Sequence, residues 1–210
     1  GMYVLLRQGT ACKNVLNLLP GVDDSNYRRT MFCTDDRQPQ SITREGHINY
    51  AVNLAINAGL NPIKAITIAS LNASDCFSLH DRGAIAPGKR ADFFLSESIN
   101  EIKPTDVFIG GKLAGKDGKA VIKAPHVIPE GVSGRMDIKD FSKSRLSLKL
   151  KSDRVRIIDI IPGGVVTGKG EATVKRGEDG EWIHNPEDDI LKLAVIERHH
   201  GTGNVGVALI

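Results

Sequence analysis

Two adjacent carboxylates, Asp35 and Asp36, directly follow a short apolar run that has the composition of a buried strand. A carboxylate at the carboxyl end of a strand in a strand–helix unit lies where α/β barrels collect their catalytic groups. The alternative for Asp35 is a turn or capping aspartate, because Asp also forms local hydrogen bonds ahead of a helix. Spacing alone does not separate these interpretations. For Asp36 the pattern favours the cap or turn, since neighbouring strand residues face opposite ways.

A second candidate is the segment 201–206 (GTGNVG), which matches the glycine pattern of dinucleotide-binding loops. That function requires a helix that begins at the glycines and an acidic residue about 20 positions later. Residues of β-type composition follow instead, so we predict a hairpin turn. The preceding His199 and His200 would project to opposite faces of a strand and would not easily bind one metal ion. We predict that they form an exposed strand end.

Strand–helix units must position the carboxylates. Residues 2–10 (MYVLLRQGT) and 28–36 (RRTMFCTDD) are predicted strands, each followed by polar loop residues and a helix. A helix from about Thr43 to Ala58 is predicted by apolar residues at helical spacing and by the stop signal at Gly59. The next helix is predicted to begin at Asn61, a favourable cap that precedes a proline.

The rest of the chain is predicted to be richer in strands. Residues 81–124 contain short β segments separated by Gly, Pro and Asp. From residue 137 onward the predicted strands are RLSLKLK, RVRIIDIIP, EATVKRG, ILKLAVIERHH and VGVALI. The Asp-Gly pair within 176–181 predicts a hairpin. We therefore expect three regions, at residues 1–80, 81–136 and 137–210.

Composition excludes several classes of protein. The chain has 210 residues with 40% hydrophobic and 25% charged residues, which is typical of a globular protein. The 28 basic and 25 acidic residues leave a net charge of +3, too small for a nucleic-acid-binding surface. No apolar run approaches the roughly 18 residues of a membrane span. The 3 cysteines are widely spaced without a Cys-x-x-Cys pair, which favours the cytoplasm.

Residues 32–94, read together, resemble the amidohydrolase superfamily and, within it, the adenine deaminases. The segment GAIAPGKRADFFL is similar to the superfamily's return from its barrel into its small β domain. The run Cys33–Asp36, followed by Gly46–Ile48 and AGLNPIKAITIAS, is similar to the adenine deaminase pattern around the eighth barrel strand.

The two ends of the chain extend this resemblance. Residues 6–14 (LRQGTACKN) resemble the preceding barrel strand of the adenine deaminases, although Gln8 stands where Glu is expected. Residues 194–210 (AVIERHHGTGNVGVALI) resemble the additional C-terminal domain of that family. The implied fold class is α/β: a partial (β/α)8 amidohydrolase barrel, a β-rich segment and an incomplete α+β C-terminal domain.

The resemblance implies an activity and a site. It implies metal-dependent hydrolysis of adenine to hypoxanthine and ammonia in purine salvage, with Mn, Fe or Zn as the divalent metal. Asp35 then takes the position of the aspartate that binds the metal and manages the proton of the attacking water. Arg7, Asp36 and His47 are the implied substrate-binding residues, and Asp36 is also a candidate for indirect support of the site.

The same resemblance shows what the sequence lacks. The superfamily takes its other metal ligands from earlier strands, beginning with a His-x-His pair, and no such pair occurs here. A complete barrel needs about 250 residues, whereas the barrel-like region is residues 1–80 with two predicted strands. We therefore expect a fragment that lacks the N-terminal part of the barrel and the end of the C-terminal domain. As an isolated chain it should bind no metal stably and be inactive.

Partners and alternatives follow from the incomplete barrel. An uncovered barrel edge favours a homo-oligomer or pairing with the missing barrel half. The alternative function is a non-catalytic scaffold or oligomerisation module derived from an amidohydrolase. A different amidohydrolase, such as a dihydroorotase-like enzyme, is disfavoured by the tail after residue 137.

Overall fold

The computed structural model describes residues 1–123, 125–131 and 136–210, and it divides the chain into two units, 1–125 and 126–210. Mixed α/β structure is present, as predicted. The division into regions 1–80, 81–136 and 137–210 stays a prediction, and its middle region includes positions 124 and 132–135, which lie outside the described residues.

The first unit begins with a parallel pair of strands, β1 (Val4–Arg7) and β2 (Thr30–Cys33). In their register Val4 lies opposite Thr30 and Arg7 lies opposite Cys33, so the carboxyl ends of both strands meet at one edge. The connection between them contains the short helix α1 (Val15–Leu18) and two 3-10 turns. Both predicted strands are confirmed, and their parallel pairing is the strand–helix–strand arrangement expected of α/β folds.

Four helices follow β2: α2 (Pro39–Glu45), α3 (Ile48–Asn57), α4 (Pro62–Ala69) and α5 (Leu71–Cys76). The prediction of one helix from Thr43 to Ala58 is wrong, because Gly46 has φ 108° and ψ −179° and ends the helix there. The predicted start of α4 is confirmed: the Asn61 side chain accepts hydrogen bonds from the amides of Ile63 and Lys64, at 3.0 and 3.3 Å.

An apolar core joins the strands of this unit to its helices. Its buried members come from β1, β2, the helices, the first 3-10 turn and one later loop residue, Ile102: Leu6, Val15, Leu19, Phe32, Ala51, Val52, Ala55, Ala65, Ile68 and Ile102. Each large side chain among them contributes roughly 1.5–3 kcal/mol when fully buried. Asn53 fixes Ile102 against α3, since its side chain accepts from the Ile102 amide at 2.7 Å and donates to the Ile102 carbonyl at 3.0 Å.

An antiparallel sheet completes the first unit. Its strands, in spatial and chain order, are β3 (Phe93–Leu95), β4 (Asp106–Ile109), β5 (Lys112–Lys116) and β6 (Lys119–Ala120). Phe93 and Phe108 lie opposite each other and stack with ring centroids 4.7 Å apart. The short β segments predicted after residue 81 are thereby confirmed.

The described residues of the second unit contain three antiparallel pairs: β7 (Arg154–Ile160) with β8 (Thr167–Thr173), β9 (Lys175–Arg176) with β10 (Trp182–Ile183), and β11 (Lys192–Ile196) with β12 (Val205–Leu209). Val174, Ile190 and Leu209 are buried apolar residues that form a small core in this unit. The predicted hairpin at 176–181 is confirmed by the β9–β10 pair. The hairpin at 201–206 is confirmed by β11 and β12, and His199 and His200 are exposed in the connection between them.

The predicted strand at residues 145–151 is wrong. A 3-10 helix occupies Lys143–Leu146, and Lys149 forms only an isolated bridge with Glu181. The carboxylate of Glu181 accepts hydrogen bonds from the Ser147 hydroxyl and, at 2.9 Å, from the Leu148 amide, which diverts the backbone from a regular ladder. The apolar alternation still places leucine side chains against the core of this unit.

Across the described ranges, no helix is both long enough and apolar enough to cross a membrane.

Candidate functional site

The carboxyl edge of the β1–β2 pair brings two loops together. Beyond the last paired residues, the Gln8 amide donates to the Cys33 carbonyl at 2.9 Å and extends the pairing by one step. The loop after β1 then folds back, because the Arg7 amide donates to Asn14 Oδ1 at 2.6 Å and the Asn14 amide donates to the Arg7 carbonyl at 2.8 Å. This closed loop lies beside the segment that carries Asp35.

Asp35 lies two residues beyond the end of β2 and has a left-handed backbone, with φ 47°. Left-handed geometry is uncommon for residues other than glycine and is tolerated best by Asp and Asn. The side chain is 54% exposed and forms an ion pair with the half-buried guanidinium of Arg7. This hydrogen bond raises the pKa of Arg7 above its ordinary value. The structure therefore brings together two of the predicted site residues.

Asp36 points away from Asp35, toward the loop after β1. Its Oδ2 atom accepts hydrogen bonds from the amides of Ala11 at 2.7 Å and Cys12 at 3.3 Å. The bond from Ala11 is the largest cause of a pKa below the ordinary carboxyl range, and the bond from Cys12 adds to it. Asp36 is thus placed to hold a loop, and its role in substrate binding stays a prediction.

The Oδ1 atom of Asp36 is buried directly over Gly9. A β-carbon added at Gly9 would lie 1.6 Å from this oxygen and 3.0 Å from the Cys12 carbonyl oxygen. Only glycine leaves the space that the carboxylate occupies.

His47, the remaining predicted site residue, is exposed at the start of α3. Its Nε2 atom lies 3.4 Å from the hydroxyl of Thr34, the residue before Asp35. Its amide donates to Asn49 Oδ1 at 2.9 Å. The ring of His47 is therefore near the loop that carries Asp35, at the same edge as Arg7.

Arg37 is a functional candidate that sequence reasoning missed. Its side chain is 1% exposed and forms an ion pair with Glu45 at 2.8 Å. The guanidinium also donates to the Gly46 carbonyl at 2.8 Å and lies with its central carbon 4.8 Å from the ring centroid of Tyr50. The sequence offered one signal, a basic residue after two acids, but buried arginines are rare and local pattern does not identify them.

These residues do not by themselves form a metal site. A catalytic site of the zinc type takes about three protein ligands and a water, and no group of three or more His, Cys, Asp or Glu side chains that could hold an ion occurs among the described residues. The carboxylate of Asp35 is already paired with Arg7. Burial and the charge of Asp35 raise the pKa of the neighbouring Cys33 thiol, which disfavours the thiolate that a metal would require.

The chemistry available at this edge is proton transfer. Asp35 offers an exposed carboxylate that can take up or release a proton, beside a guanidinium and an imidazole. A guanidinium only donates hydrogen bonds, whereas an imidazole can donate or accept them. The arrangement suits a polar ligand that carries hydrogen-bond acceptors and changes protonation during a reaction.

The same stretch of the chain matches a known family. The model of the amidohydrolase family matches residues 7–114, a little over half of the 210 residues. That range begins at Arg7 and includes Asp35, Asp36 and His47.

Relatives extend the match to the whole chain. Adenine deaminase 2 of Desulfotalea psychrophila is 43% identical over all 210 residues, which are 36% of its own length. Adenine deaminase 2 of Carboxydothermus hydrogenoformans is 44% identical over 210 residues and 37% of its length, and the adenine deaminase of Nitratidesulfovibrio vulgaris is 41% identical over 36% of its length. The chain thus spans little more than a third of the relatives it matches. The family model and these full-chain matches confirm the resemblance seen in the sequence, and the chain belongs to the amidohydrolase family.

Proposed function

We propose that this chain forms part of an adenine deaminase, which hydrolyses adenine to hypoxanthine and ammonia in purine salvage. The proposal rests on the position of Asp35. Its exposed carboxylate lies at the carboxyl edge of two parallel strands, and its backbone is in the left-handed conformation. Barrel enzymes place their catalytic groups at this edge. The relatives that match the entire chain are named adenine deaminases.

Asp35 is the proposed catalytic residue. Hydrolytic deamination adds water at C6 of the purine and expels the amino nitrogen as ammonia, so one proton leaves the water and one reaches the nitrogen. A carboxylate within hydrogen-bond reach of both atoms takes the first proton and then donates it to the departing group. The exposure of Asp35 leaves its carboxylate accessible to a substrate placed over the strand ends.

Arg7 and His47 are the proposed substrate contacts. Both flank Asp35, Arg7 through the ion pair and His47 through Thr34. The ring nitrogens of adenine accept hydrogen bonds, which suits a guanidinium donor. Asp36 stays a predicted binding residue as well, although its bonds to the loop amides favour an indirect contribution.

The complete enzyme is proposed to use Mn, Fe or Zn, with Asp35 as one ligand. The described residues do not supply the remaining ligands, so we propose that the isolated chain is inactive and that they come from another segment. Within the described part of the chain, β1 and β2 form a two-stranded sheet in which each strand has an unpaired edge, and Val4 and Leu5 are 47% and 45% exposed. Such an edge favours pairing with a complementary barrel segment or with a second copy. We place the assembly in the cytoplasm.

A chimaera tests the proposed activity. This chain would replace the matching segment of the Desulfotalea psychrophila relative, and hypoxanthine would be measured after addition of adenine and Mn2+, Fe2+ or Zn2+. Turnover by the chimaera is expected. A folded, soluble chimaera without turnover, next to an active parent, would contradict the proposal and favour a scaffold or oligomerisation module.

A further inference from the structure

We infer that Asp36 and Arg37 are positioning residues that together lock the loop of Asp35 into its active geometry. The inference rests on the proposed function of Asp35 and deepens it. Two oppositely charged side chains, adjacent in sequence, each bind backbone groups of neighbouring segments, and neither directs its charge at the open strand edge.

Asp36 fixes the loop after β1 from the side of β2. Its carboxylate accepts from two successive amides, Ala11 and Cys12, across 25 and 24 positions of the chain. Charge-assisted hydrogen bonds of this kind are about twice as strong as neutral ones. The close approach of Oδ1 to Gly9 leaves the carboxylate little room to move.

Arg37 fixes the other side of the Asp35 loop. Its guanidinium donates to the carbonyl of Gly46, to the carboxylate of Glu45 and, more weakly at 3.4 Å, to the carbonyl of Ser41. A further long contact of 3.5 Å reaches the carbonyl of Gly9. One buried cation therefore contacts the loop after β1, helix α2 and the residue that precedes His47.

Asp35 directly precedes these two anchored residues. Asp35 is in a left-handed conformation that non-glycine residues rarely adopt. Such conformations persist where the surrounding structure holds them. With the next two side chains anchored, the chain on the carboxyl side of Asp35 is fixed, and the Gly46 contact carries the same constraint to His47.

The experiment uses the full 210-residue chain and requires no enzymatic activity. NMR spectra would record the Asp35 carboxyl carbon, the Asp35 amide and the His47 ring in the wild type, Arg37→Ala, Arg37→Lys and a matched control. The control is Arg44→Ala, because Arg44 is an exposed arginine on α2, the helix that follows Arg37. Guanidinium at a concentration well below that needed for unfolding would then be added to each protein.

We expect Arg37→Ala to displace the Asp35 and His47 signals, guanidinium to return them to their wild-type positions, and Arg44→Ala to change neither. In Arg37→Lys the Asp35 and His47 signals should also be displaced from their wild-type positions, since an ammonium lacks the planar fork of donors of a guanidinium. Loss of thermal stability in Arg37→Ala with unmoved Asp35 and His47 signals would overturn the inference.

Asp36→Asn provides a second test of this positioning role if Arg37→Ala does not fold. The amide side chain has nearly the same shape without the charge, and we expect amide exchange at Ala11 to accelerate roughly tenfold while the Asp35 amide signal shifts. An unchanged Asp35 signal would contradict the inference. These readouts do not involve adenine, so positioning can fail while deamination by the chimaera holds, and the reverse.

Discussion

The carboxylate of Asp36 lies directly over Gly9, close enough that a methyl group on Gly9 would meet Asp36 Oδ1 at 1.6 Å. This relationship joins the loops that follow β1 and β2, and it depends on the smallest side chain at one position and a charged one at the other.

Gly9→Ala should destabilise the first unit. The added methyl group displaces a carboxylate that bonds Ala11 and Cys12, so we expect a loss of about 1–3 kcal/mol in the free energy of unfolding. Denaturation followed by far-ultraviolet circular dichroism suits this measurement, because the described α-helices all belong to the first unit. The control is Gly21→Ala, where the methyl group would meet nothing within 4 Å. Equal stability of both variants would refute the expectation.

Asn72→Ala should be among the most destabilising changes in the same unit. Asn72 is fully buried, and its amide nitrogen donates to the carbonyls of Tyr27 and Thr30, each at 2.7 Å. Removal leaves two carbonyls without this donor, and we expect a loss on the order of 2–5 kcal/mol. The exposed Asn57 provides the control, and Asn57→Ala should stay within about 0.5 kcal/mol of the wild type.

The stability of the loop between β11 and β12 should depend on pH, because it depends on the ionisation of Glu197. Its carboxylate accepts from the amides of His199, His200 and Thr202, and these bonds lower the pKa of Glu197 from 4.5 to about 2. Because the folded-state pKa is depressed, the stabilisation is fully present above pH 4.5 and is lost as the pH falls through about 2.

An NMR titration of the Glu197 carboxyl carbon checks this value directly. Exchange of the three amides should also be faster in Glu197→Gln at neutral pH, since a neutral side chain is a weaker acceptor. Glu178→Gln, a change at an exposed glutamate of the same unit, should leave that exchange unchanged. A Glu197 midpoint near 4.5 would contradict the assignment.

The isolated chain should not turn over adenine, with or without added Mn2+, Fe2+ or Zn2+. The described residues contain no group of three potential ligands, and Asp35 is paired with Arg7. The assay should measure hypoxanthine together with metal content on the same sample. Hypoxanthine formation by the chain alone would show that this chain supplies the further metal ligands and would contradict the proposal that they come from another segment.

Local signals in the sequence predicted much of the fold. The Asn61 cap, the hairpin turn at 176–181 and the two strands that precede Asp35 depend on residues within a few positions, and all are confirmed. The helix predicted through Gly46 and the strand predicted at 145–151 were wrong. The strand prediction at 145–151 is wrong because this segment bonds to a residue far away in the sequence: Glu181, which accepts from the Leu148 amide, lies 33 positions from it.

The contacts of the candidate site also join residues that are far apart in the sequence, so local patterns predict them poorly. Asp35 could be singled out from its place after a strand, but its ion pair with Arg7 joins residues 28 positions apart. The burial of Arg37 depends on groups from two loops and two helices, so a local pattern could not predict it. The resemblance indicates the family, whereas the packing around Asp36 and Arg37 depends on contacts between segments that are far apart in the sequence.

The rate of adenine deamination by the chimaera with Asp35→Asn tests the catalytic role of Asp35 directly. Asn cannot accept and return a proton, so we expect turnover to fall by at least about a hundredfold. Asp117→Asn is the matched control, since Asp117 is also an exposed aspartate with left-handed geometry, at φ 48°; it should keep the unmodified rate. Deamination by the Asp35→Asn chimaera at the rate of the Asp117→Asn control would contradict the assignment of Asp35.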